Sequence, residues 1–219
     1  MSAGKQPSAD LRARLLEQVK QTPAPTRAEH RKRIAIIAVV GALATTTLFF
    51  AMGGFARGAR PTELIAFTAG SGLLAAIVMT RVSGLGGSML GRPRPLLLLA
   101  CVVAAPVLAC AALAATMIWP EHAAEDVPSH AHVACAAITL AQGALPLLAL
   151  LLPRRESDPV HPAITGAALG MTAGAWTAMM AYLRCPHVPA AHCIMAHVLP
   201  TVLLTVVGAL LGRLLLRVR

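Results

Sequence analysis

The sequence predicts an all-α membrane protein: a bundle of six transmembrane helices, both termini cytoplasmic, with a short amphipathic N-terminal cytoplasmic helix ahead of the first span. Three observations carry this. Of 219 residues, 57% are hydrophobic and 13% charged, with a mean hydropathy of +0.69, whereas a soluble domain holds about 25% charged residues. The apolar residues gather into six runs of the length that a bilayer needs, and the basic residues fall mostly to one side of those runs. The same composition excludes a disordered chain, a collagen-like repeat and a disulfide-rich secreted scaffold.

The first element is a basic tail, residues 1–33. A helix over about 9–21 places Leu11, Leu15, Leu16 and Val19 on one face, with Ser8 as N-cap and Arg12 and Arg14 mostly elsewhere. Thr22-Pro23-Ala24-Pro25-Thr26 ends it as a stiff spacer. So short a helix is marginal alone in water and needs a surface. That surface is either anionic lipid, helped by Arg31-Lys32-Arg33, or a cytoplasmic protein partner.

The membrane domain, 34–216, follows with spans at 34–52, 64–80, 96–118, 131–152, 163–183 and 196–216; about 20 apolar residues cross a bilayer core as helix. The alternating polarity of a membrane β-strand is absent from the sequence. The first span lies behind the polar tail and does not read as a cleavable signal peptide. Sixteen of the 19 Lys and Arg fall in the tail, the second and fourth loops and the C-terminal end, against Arg57, Arg60 and Arg184 on the other side. Basic loops stay cytoplasmic, so the net charge of +10 sets topology rather than a nucleic-acid surface. Gly166, Gly170 and Gly174 form a small-residue stripe on span five, with Gly208 and Gly212 on span six, for close helix approach. Pro106, Pro146 and Pro200 are expected to kink spans three, four and six.

Chemistry-bearing residues concentrate on the outer side. Six of the eight histidines belong there: His122, His130, His132, His187, His192 and His197. Cys185 and Cys193 lie in the last outer loop and Cys135 one turn inside span four. On helices, His132 and Cys135 (i, i+3) share a face, as do Cys193 and His197 (i, i+4). Imidazole and thiolate suit zinc or copper. Equally, Cys185 and Cys193 form a disulfide in an oxidising compartment, or the histidines are interfacial polar residues without a ligand. Cys101 and Cys110 read as apolar packing residues. The Gly84–Gly91 segment lacks the Lys-Ser/Thr ending of a phosphate loop, and no catalytic pair stands out, so no enzyme is expected.

The order of short motifs carries a resemblance. Pro23-Ala24-Pro25-Thr26-Arg27 closes the tail; Ser88-Met89-Leu90-Gly91-Arg92-Pro93-Arg94 follows span two. Ser157-Asp158-Pro159-Val160-His161-Pro162 precedes a glycine-rich span five with Trp176, and Cys185-Pro186, His192 and His197-Val198-Leu199-Pro200 open span six. Together these resemble the six-helix bacterial membrane anti-sigma factors of the NrsF-like kind, and among them the regulators of light-induced carotenoid synthesis.

The resemblance implies a protein that holds an extracytoplasmic-function sigma factor at the inner membrane and frees it on a signal, here light relayed by singlet oxygen. It implies a role in sensing or structural integrity for Cys185, His192 and His197. The tail contains no Cys, so the cytoplasmic zinc module of many anti-sigma factors is absent, and partner binding falls to Leu11, Leu15, Leu16 and Val19 with Arg12 and Arg14. The competing reading is a small metal or solute transporter with the outer His/Cys residues as its entry site. Against it stands the lack of acidic residues within the spans.

Overall fold

The computed structural model describes residues 17, 27–56, 60–83, 92–155 and 160–217. Every regular element among them is helical. The chain forms two compact units, 1–36 and 37–219. In the first, Glu17 is helical and exposed, and Glu29 sits in the first turn of α1 (Arg27–Ala51), where a carboxylate suits the positive end of a helix. The expected docking residues Leu11, Arg12, Arg14, Leu15, Leu16 and Val19 lie outside the described residues, as does the Gly84–Gly91 segment.

The second unit comprises the rest of α1, then α2 (Thr62–Ser83), α3 (Arg94–Val102), α4 (Ala104–Ile118), α5 (Pro120–Ala123), α6 (Ser129–Leu151), α7 (Pro162–Arg184), α8 (Ala190–Cys193) and α9 (Leu199–Leu215). A 3-10 turn, Leu152–Arg154, extends α6, and a π-turn, Ile194–Val198, joins α8 to α9. Among the described residues, four stretches are long and apolar enough to cross a membrane: Thr62–Ser83, Arg94–Ile118, Ser129–Arg154 and Ala190–Leu215. Two of the six expected spans are not among these four. The apolar part of α1, Ala35–Ala51, is short. Helix α7 has 23 residues, but they are rich in Gly, Ala and Thr.

The composition of α7 follows from its position. It packs against α9, α2, α6, α3 and α4, and Ala168, Leu169, Ala173, Ala175 and Ala178 are completely buried. A helix enclosed by other helices needs small side chains rather than a lipid-facing apolar surface. Its neighbours carry the exposed apolar residues instead, among them Leu74, Val102, Leu113, Val206 and Leu210. Hydroxyls inside the bundle are satisfied locally: Thr68, Thr172, Thr177 and Thr201 each donate to the carbonyl four residues back. With no water in hydrocarbon, such back-bonding removes the cost of a buried hydroxyl.

The closest approach is between α7 and α9. A Cβ on Gly166 would stand 2.7 Å from the Gly212 Cα, one on Gly170 2.8 Å from the Thr205 Cα, and one on Gly174 2.7 Å from the Thr201 Cα. The partners descend in number as the glycines ascend, so the two helices run antiparallel with backbones in contact. Of the three prolines expected to bend spans, Pro106 interrupts the helix at Val103, dividing α3 from α4. Pro146 sits within α6, which runs on to Leu151, and Pro200 follows the π-turn.

Opposite ends of the bundle are tied differently. At one, the Arg154 guanidinium is buried and donates to the Ser83 carbonyl at 2.6 Å, while the Ser83 and Thr172 hydroxyls pair at 2.8 Å and the Trp176 indole donates to the Thr80 hydroxyl at 3.0 Å. This joins α2, α7 and the turn after α6. Arg154→Met is expected to destabilise the purified protein by about 1–3 kcal/mol in chemical denaturation, because it leaves a buried carbonyl short of its donor. At the other end Gly53 and Gly54 turn the chain after α1 with φ of 109° and 65°, values that side chains resist. Phe49, Phe50 and Phe55 pack edge-on around that turn at 5.2–5.8 Å.

Candidate thiol and histidine site

Three backbone features bring the site together at the end of the bundle that holds the α7–α8 connection. Helix α6 presents His132 and Cys135 one turn apart, both half-buried. Helix α7 stops at Arg184, and Cys185-Pro186-His187-Val188-Pro189 crosses to α8 without regular structure; its two prolines favour extended backbone. The Cys185 amide still donates to the Ala181 carbonyl at 2.7 Å, which fixes that residue at the helix end. The π-turn completes the set. Pro200 has no N–H for the Ala196 carbonyl, and the preceding turn adopts i→i+5 bonding. Residues five apart then share a face, and His192 and His197 stack edge-on at 5.5 Å.

The resulting cluster is Cys135, Cys185 and His192, whose ligating atoms all lie within 4.8 Å of one another. His192 Nε2 is 3.1 Å from the Cys185 sulfur, and His192 Nδ1 is 3.1 Å from His132 Nδ1. His192 and Cys185 are buried. Behind them His197 is buried against the Tyr182 ring at 5.3 Å, with no hydrogen-bond partner for either ring nitrogen among the described residues. Outside, His187 Nδ1 pairs with the Glu125 carboxylate at 2.9 Å and its ring lies 5.0 Å from that of His192. Glu121, His122, Glu125, Pro186 and Val188 line a surface cleft beside it.

The Cys185 thiol is pushed above its ordinary range, first by its hydrogen bond to Cys135 and then by burial. Burial holds the Arg60 guanidinium below its own. Arg60 nevertheless donates to the Tyr182 carbonyl at 2.6 Å.

Two thiolates and one imidazole form a donor set for zinc or copper. His132, on the other nitrogen of His192, would orient that ligand from outside the coordination sphere.

The structure regroups the residues singled out from sequence. Cys185, His192 and His132 come together, with Cys135 as a full member of the cluster. Cys193 turns away: its thiol faces the Val188 carbonyl at 3.6 Å, and it packs with Leu108, Ala178 and Tyr182. The π-turn, not an α-helical i, i+4 relation, decides this, because it aligns His197 with His192. All five cysteines are free thiols. His130 is exposed on the first turn of α6. His197 sits behind the cluster rather than in it.

The chain matches the NrsF family, described as negative regulator of sigma F, over residues 19–218. No curated protein and no solved structure matches it.

Proposed function

Because the chain belongs to the NrsF family of negative regulators of sigma F, we propose that it is a membrane-bound anti-sigma factor that holds an extracytoplasmic-function sigma factor at the bacterial inner membrane. The family match over residues 19–218 is the observation that carries this reading. The chain acts by binding, not catalysis, and withholds the sigma factor from RNA polymerase without touching nucleic acid. In this reading α1 and α7 join the four apolar stretches as membrane spans, making six, and the basic residues keep both termini cytoplasmic. The signal is light relayed by singlet oxygen, and the genes released serve carotenoid synthesis. Thiols and imidazoles are targets for such an oxidant, and the site on α6, α8 and the connection before α8 gathers both.

The sigma factor docks on the tail, where Leu11, Leu15, Leu16 and Val19 supply apolar anchors and Arg12 and Arg14 complement acidic patches. A few anchors dominate such interfaces, at about 2 kcal/mol or more each. Changing Leu11, Leu15 and Leu16 together to Asp is expected to leave the protein in the membrane while the sigma factor no longer co-purifies and its reporter is constitutively on. Full retention of the sigma factor by that variant would exclude the tail as the docking site.

A further inference from the structure

Beyond sigma-factor binding, we infer that Cys135 and Cys185 are a redox-modification site, a dithiol that hydroperoxides oxidise to an intramolecular disulfide linking α6 to the α7–α8 connection. The pair lies fifty residues apart in sequence, yet its sulfurs are within 4.8 Å of each other, to be compared with the ~2.05 Å of an S–S bond. Neither Cys193, engaged with the Val188 carbonyl, nor Cys101, which faces the Ile164 carbonyl at 3.6 Å, belongs to the cluster.

The histidines supply a way out for the proton. A neutral imidazole has one donor and one acceptor nitrogen. When His192 Nε2 accepts from the Cys185 thiol at 3.1 Å, its Nδ1 carries hydrogen and donates to His132 Nδ1 at 3.1 Å. His132 is half-buried, so this relay runs from a buried thiol toward the edge of the bundle.

The reaction balances without any further component. One thiolate attacks the outer oxygen of the hydroperoxide; the O–O bond breaks, a sulfenic acid forms, and the leaving alkoxide or hydroxide takes back the proton that the thiol gave up and departs as an alcohol or water. The second thiol attacks the sulfenic sulfur, the S–S bond forms, and water leaves with that thiol's proton. Two electrons pass from the sulfurs to the peroxide, and a dithiol reductant reverses the step. This chemistry belongs to the chain itself; only its effect on partner release rests on the function proposed above.

The test is a thiol count on the full-length protein in proteoliposomes. After hydrogen peroxide, blocking with N-ethylmaleimide is followed by reduction and labelling with a maleimide polymer. Two of the five thiols should become protected, and peptide mapping should join the Cys135 and Cys185 segments. Cys193→Ser should leave this pattern intact, whereas Cys135→Ser or Cys185→Ser should abolish the protected pair. His192→Gln should slow its formation about tenfold or more while circular dichroism stays unchanged. Protection lost in Cys193→Ser, persisting in Cys135→Ser or Cys185→Ser, or absent from the parent protein would overturn the assignment. Disulfide formation in a tail variant that no longer retains a sigma factor would separate this result from the fate of the functional reading.

Discussion

Gly170→Leu is expected to abolish the folded bundle. A Cβ at this position would meet the Leu204 carbonyl oxygen, the Leu204 carbonyl carbon at 2.8 Å and the Thr205 Cα at 2.8 Å. All three are backbone atoms of α9, so no side chain can swing aside. Ordinary overpacking costs about 1–3 kcal/mol because neighbours repack; here the helices themselves must separate, and the cost exceeds that range. The change should appear as loss of the monodisperse protein after extraction and as rapid proteolysis in the membrane. Gly70→Ala is the matched control. Nothing lies within 4 Å of a Cβ at Gly70, and alanine improves helix propensity by about 1 kcal/mol, so that variant should be as stable as the parent or slightly more so. Equal tolerance of both substitutions would remove the α7–α9 seam as the organising contact.

The second large effect runs in the opposite direction. Gln142 on α6 is completely buried, and neither its amide nitrogen nor its oxygen has a hydrogen-bond partner among the described residues. A buried amide without partners costs about 1–3 kcal/mol on scales derived from protein mutants. Gln142→Leu has similar volume and removes the polar group, so the purified protein should gain stability of that size in chemical denaturation. Gln142→Glu should lose more than Gln142→Leu gains, since burying a charge is costlier than burying an amide. A loss of stability in Gln142→Leu would show that the amide is held by a bound group. A gain would make Gln142 a residue kept for something other than stability.

Long apolar runs announce themselves, and this is why the helices of the bundle were legible in the sequence. Transfer into lipid demands a continuous stretch of apolar residues whatever the neighbours are, so α2, α4, α6 and α9 carry the signal in their own composition. The glycines of α7 and α9 were legible for a related reason: only small residues permit backbones to touch. What composition could not convey was that α7 is enclosed. Its Thr, Gly and Ala residues answer to neighbours distant in sequence, and their modest hydropathy reads as a weaker span.

The site was less legible than the fold. His132 and Cys135 follow from helical spacing on α6, but nothing local says that Cys185 faces Cys135 rather than Cys193. That choice depends on where α7 ends and on how α6 packs against the π-turn. A helical wheel fails at this turn because its residues do not follow the i→i+4 bonds on which the wheel is drawn. The only trace in the sequence is Pro200, which cannot donate to the carbonyl four residues before it.

The π-turn has a consequence for how this chain tolerates change in length. Above it, His192 must point at Cys185; below it, Gly208 and Gly212 must point at α7. The turn absorbs one residue more than an α-helical turn would, so that both requirements are met on one continuous helix. Deleting a single residue within Ile194–Val198 would let the turn return to α-helix with both sets still aligned, whereas adding one would swing one set away from its partners by about a quarter turn or more, the angle each residue adds to an α-helix. Replacing a residue there changes a contact, whereas adding one breaks the alignment between the chemistry of the bundle's end and the glycine seam that holds the bundle closed.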